Sequence, residues 1–176
     1  NLPGGQFNQH PGFAIKNPDN RVAFAAMMVD FDFEDVLGLE VVKGRKFDPS
    51  FSGDSARLNF LINEIAAKEL NLENPVGEKF AWEANDSTYE VTVIGVVKDF
   101  HFKSMHNEIQ PLFMTVQPYG AGHVIVKLDG QDFSQIMGQI EEIYSQLNSE
   151  VPFEYFFLDQ QLADLYEAEL NTLSVF

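Results

Sequence analysis

The longest unbroken apolar run in this chain is eight residues, Val22 to Val29. A run of that length is too short to cross a bilayer, which takes about 20 residues, and too short for a buried helix of ordinary length. It has the length of a strand with both faces covered. Strand-like stretches that are less uniformly apolar follow at Leu58 to Ile62, Phe80 to Glu83, Thr88 to Val97 and Leu112 to Val116. A sheet is therefore expected to organise the first two thirds of the chain. In Thr88–Val97, Val91, Val93 and Val97 are expected to share one face with Gly95.

Short helices fit between these runs. Asp30 to Leu37 reads as one, with Asp30 or Asp32 at its start and Gly38 at its end. Asn63 precedes a helix carrying Ile65, Ala66, Glu69 and Leu70 at helical spacing, and Leu39 to Val42 reads as a short strand. Residues 1–20 are rich in Gly, Pro, Asn and Gln and read as an extended lead-in, while 49–56 reads as a surface loop. After Gly120-Ala121-Gly122 the pattern changes. Val124 to Leu128 is expected to be a strand, Asp132 to cap a helix with Phe133, Ile136, Ile140, Tyr144 and Leu147 on one face, and Phe153 to Leu158 to be a parallel strand. A last apolar helix, Leu162 to Phe176, continues to the end of the sequence.

Composition narrows the function. With 27 acidic against 11 basic side chains the net charge is −16, which disfavours nucleic acid and anionic lipid as partners. After Lys127 there is no Lys or Arg, while ten acids follow from Asp129 to Glu169. Seventeen Phe argue for a packed core rather than an acidic disordered tail. The chain has no Cys, which removes disulfides, thiolate metal sites and cysteine nucleophiles. It contains no Walker A sequence, no G-x-G-x-x-G after a strand and no G-x-S-x-G elbow, so no cofactor is expected. Asp99, His101 and His106 form the densest metal-like group, but without the spacing of a specific zinc motif.

Four segments, in order, resemble the MacB-like periplasmic core domain of FtsX-type ABC transporter permeases. They are Val29-Asp30-Phe31-Asp32-Phe33 through Gly44-Arg45-Lys46-Phe47, then Ile62-Asn63-Glu64 through Pro75-Val76-Gly77, then Gly95-Val96-Val97-Lys98-Asp99-Phe100 with Pro111, and last Phe153 through Tyr166 and Glu169. The resemblance implies an α+β fold: a lead-in over 1–20, a Sabre-like mixed-sheet insert over 21–112, a ferredoxin-like βαβ porter half over 113–160, and a helix over 161–176 leading toward a membrane segment. It implies structural roles for the signature residues. Gly44 and Arg45 would set a turn and an ion pair, Asn63 a cap, Pro75 and Gly77 a turn, and Gly95 close strand packing. Asp99 would brace the loop that follows it; Glu64, Phe100, Pro111, Tyr166 and Glu169 complete the set. The implied function is non-catalytic: a domain on the periplasmic face of the inner membrane that couples ATP hydrolysis by a cytoplasmic subunit to export or mechanotransmission. The implied partners are that ATPase through the rest of the permease, a periplasmic adaptor with an outer-membrane channel, and a second copy in a homodimer. The alternatives are a periplasmic ligand-binding or sensor module, and a metal-dependent hydrolase at Asp99, His101 and His106.

Overall fold

The computed structural model describes residues 9–84, 87–103, 108–117, 123–128, 132–147, 151–158 and 160. The chain divides into two units, Asn1–Ile125 and Val126–Phe176.

The first unit is a small barrel. Its strands are β1 (Gln9–Ala14), β2 (Val22–Val29), β3 (Val41–Gly44), β4 (Asn59–Asn63), β5 (Lys79–Ala84), β6 (Ser87–Val97) and β7 (Leu112–Val116). They pair in the order β3-β6-β4-β7-β2-β1-β5, and β5 also pairs with β6. Six strands thus close into a ring. The long strand β6 makes closure possible, because its first half pairs with β5 and its last residues pair with β3 along the same edge. Its other edge carries β4 in parallel. Closure leaves no edge among the six strands for another chain to pair with.

All six strands contribute side chains to the barrel interior, among them Ala14, Phe24, Phe60, Phe80, Val91 and Phe113. The rings meet at ordinary aromatic spacings, with Phe60 and Phe113 centroids 4.8 Å apart and Phe60 and Phe80 5.5 Å apart. Helix α3 (Glu64–Glu69) adds Ala66 and Ala67 to this interior. A second apolar layer covers part of the outside. It takes Met27 and Val29 from β2, Leu61 from β4 and Met114 from β7, beneath Phe33 of helix α1 (Phe33–Leu37), Phe47 and Phe102. β2 runs apolar without a break because Phe24 and Ala26 fill the inside while Ala25 and Met27 fill the outside.

The mixed α+β class holds, and β2 and β7 span the residues expected for them. Several finer expectations are corrected. Part of the lead-in is barrel strand β1, because its backbone pairs with both β2 and β5. The loop at 49–56 contains a single helical turn, α2 (Ser52–Ser55), that buries Asp54. β7 belongs to the first unit rather than to a separate half, since it lies parallel to β2 and antiparallel to β4. Val97 does not share a face with Val91 and Val93. Phe60 pairs with Val93 but Leu61 pairs with Gly95, so Ile94 is a bulge residue. One extra residue reverses the alternation, which sends Val96 inward and Val97 outward.

In the second unit, α4 (Phe133–Leu147) is the expected helix, with the Gln135 amide donating to Asp132 Oδ1 at 3.3 Å. Tyr144 meets Phe153 at 5.3 Å and Phe133 meets Phe157 at 4.9 Å. Neither 124–128 nor 153–157 forms a strand. A strand is defined by its pairing, and neither segment has a ladder partner among the described residues, so the expected βαβ arrangement is not seen among them. Gly120-Ala121-Gly122 and the helix expected from Leu162 lie outside the described residues.

Candidate functional site

The signature residues gather into two bracing centres on the barrel. The first lies where the chain leaves β3. Gly44 sits at φ 79°, and an added Cβ there would lie 2.2 Å from the Ile94 carbonyl oxygen. Gly95 is paired opposite it and is equally crowded, with the Arg45 and Lys43 carbonyl oxygens 2.7 and 2.9 Å from where a Cβ would lie. Two glycines facing each other let the β3 and β6 backbones meet at the bulge. The chain then presents Arg45. Its guanidinium donates to both oxygens of Asp54, at 2.7 and 3.0 Å, and lies 3.9 Å from the centre of the exposed Phe51 ring.

Asp54 is fully buried and accepts two further bonds, from the Asn59 amide at 2.6 Å and the Asp48 N–H at 2.9 Å. Burial pushes its carboxyl upward, but the bonds from Arg45, Asn59 and the Asp48 amide outweigh this and hold it below the usual aspartate range. With its lone pairs occupied, the carboxylate acts as a clamp on the 45–59 excursion and has no free oxygen for proton transfer.

The second centre is Asn63, fully buried at the junction of β4 and α3. Its Oδ1 accepts from Ala66 N at 3.1 Å and from Leu112 N at 2.9 Å, while its Nδ2 donates to the Gln110 carbonyl at 3.0 Å. One side chain therefore caps α3 and ties down the entry to β7. Beside it, the Ile65 N–H donates to Asp99 Oδ1 and the Asp99 N–H donates to Glu64 Oε2, both at 3.1 Å. Among the described residues Asp99 thus braces the start of α3, where the helix offers orphan N–H groups. Phe100 packs on the outer layer, 5.8 Å from Phe102. The Pro111 carbonyl accepts from Ala25 N at 2.8 Å. The Glu78 N–H closes a turn on the Pro75 carbonyl at 3.1 Å, and Gly77, at φ 87°, donates to the Val93 carbonyl at 2.8 Å. Tyr166 and Glu169 lie outside the described residues.

Asp54, Asn59 and the buried Glu34 were not singled out from the sequence. Asp54 lies in Ser-Gly-Asp-Ser, whose composition signals an exposed loop, and neither Asn59 nor Glu34 carries a local signal of burial. His101 is exposed and His106 lies outside the described residues. Among the described residues no group of three His, Asp or Glu could hold a metal ion. Nor is any helix among them long and apolar enough to cross a membrane.

No protein-family model matches the chain, and no curated protein matches it in sequence. A solved structure does resemble it. A crystal structure described as a domain of a candidate permease protein from Porphyromonas gingivalis superposes with a TM-score of 0.53. The match covers 92% of this chain and 83% of that one at 14% sequence identity. At that identity the likeness is one of fold.

Proposed function

We propose that this chain is an extracytoplasmic domain of a bacterial ABC transporter permease, of the FtsX type with a MacB-like periplasmic core. The observation that carries the proposal is the shared fold with a permease domain over 92% of the chain. The four ordered sequence segments from Val29 to Glu169 support it independently of the fold. In this reading the barrel is the Sabre-like insert, and the second unit contributes to the porter part. The domain is non-catalytic and sits on the periplasmic face of the inner membrane. A cytoplasmic ATPase drives it through the rest of the permease, and a periplasmic adaptor, an outer-membrane channel and a second copy are its candidate partners. The bracing at Arg45–Asp54 and at Asn63 suits such a role, because a body that relays displacement must not deform under load.

The test is topology mapping in the full-length gene. Alkaline phosphatase inserted at position 120 is expected to be active, and green fluorescent protein at the same position dark. A fluorescent, phosphatase-inactive pair would refute an extracytoplasmic location. Deleting 1–176 should abolish transport while the partner ATPase still hydrolyses ATP.

A further inference from the structure

The outer apolar layer holds one ionisable side chain that the bracing centres do not use. Glu34, the second residue of α1, is 1% exposed. Among the described residues its Oε2 has no hydrogen-bond partner. Its Oε1 faces the Phe47 N–H at 3.4 Å, at the long limit of a hydrogen bond. Phe33 and Phe47, its neighbours along the chain and across that bond, are both buried in the outer layer. A charged carboxylate in this position lacks the donors that would replace its water, whereas the neutral acid gives up far less on burial.

We propose that Glu34 is a proton-operated latch between α1 and the segment Arg45–Phe47. Neutral, the carboxyl stays folded beneath the helix and α1 lies closed on the barrel. Ionised, it is drawn toward water and α1 loosens together with the chain leaving β3. The charges that act on it are few. Asp35, on the same helix, favours the neutral form; Lys46, on the facing segment, favours the ionised form. Those two are exposed and paired with each other, so they offset one another, and Arg45 is committed to Asp54. Burial decides: it pushes the Glu34 carboxyl above the ordinary glutamate range, against smaller opposing effects of backbone N–H groups and Lys46. For an acid with a raised folded value, the stabilisation is complete below the unfolded value and is lost as pH rises through the folded one.

Hydrogen exchange of the intact chain tests this, with rates corrected for base catalysis. As pH rises above the ordinary glutamate range, protection of 33–47 should fall by up to about tenfold per pH unit and level off once Glu34 has ionised in the closed state. Protection in β2 and β7 should stay level. In E34Q the profile of 33–47 should be flat. A flat wild-type profile, or the same fall in E34Q, overturns the proposal. Carboxyl carbon NMR of Glu34 in the wild type provides a test that does not depend on the variant folding. A midpoint above the ordinary glutamate value supports the latch; one at or below it overturns it.

Discussion

Replacing Asp54 with Asn alters charge and hydrogen-bonding sense while leaving volume almost unchanged. The wild-type carboxylate accepts four bonds, two from Arg45, one from Asn59 and one from the Asp48 amide, and none of its surface reaches water. An asparagine keeps one oxygen as acceptor, but its NH2 group then points donors at donors. About two of the four bonds are lost. A bond to a charged group contributes about 1.5–3 kcal/mol, and the low end applies here because a partly exposed Arg45 can recover water. The expected loss is about 3 kcal/mol, which a domain stable by about 5–15 kcal/mol survives. With a urea dependence of about 2 kcal/mol per molar, the midpoint should fall by about 1.5 M at pH 7. The pH dependence gives an independent check. Because the folded carboxyl lies below its ordinary value of 3.8, its stabilisation is present above that value and is lost as pH falls toward the folded one. The gap between wild type and D54N should therefore narrow in acid. A loss under about 1 kcal/mol at pH 7, or a gap unchanged down to about pH 3, would refute the clamp.

Asn63→Ala removes a helix cap and leaves the Leu112 N–H and Gln110 carbonyl without their partner, so urea unfolding should show a loss of about 3 kcal/mol. Gly44→Ala and Gly38→Ala separate backbone strain from crowding: both positions have positive φ, but only Gly44 would place a Cβ against backbone. The first should cost roughly 3 kcal/mol or more and the second about 1 kcal/mol, and equal losses would argue against the tight β3–β6 approach. Phe113→Ala empties the centre of the barrel, where Phe113 meets Phe24, Phe60, Phe80 and Trp82. A loss of about 4 kcal/mol is expected, with a red shift in the fluorescence of Trp82, the single tryptophan.

Strand positions were legible wherever both faces of a strand are buried. β2 is a continuous apolar run, and β7 is one apart from Thr115, because each packs inward on the aromatic core and outward on the second layer. β1 was not legible, since Gln9-His10-Pro11-Gly12 has turn-like composition and becomes a strand only by lying between β2 and β5. The segments 124–128 and 153–157 show the opposite failure: strand-like composition without a ladder partner among the described residues. At the bracing centres, Asn63 stands at a visible strand-to-helix boundary, whereas the partner of Arg45 could not be chosen from sequence among so many acids.

What the sequence by itself determined is local: where strands and short helices lie in the barrel unit, which glycines interrupt them, and that the chain is acidic and free of cysteine. Those properties follow from side-chain periodicity and from backbone preferences acting over a few residues. Only the tertiary structure decided that six strands close into a ring, that the Ile94 bulge turns Val97 outward, that Asp54 is the buried partner of Arg45, and that Glu34 of α1 is buried with one oxygen unpartnered among the described residues. Each of these depends on residues far apart in the chain, or on a one-residue shift in register. Strand periodicity carries no record of either, because it is the same whichever strand lies alongside.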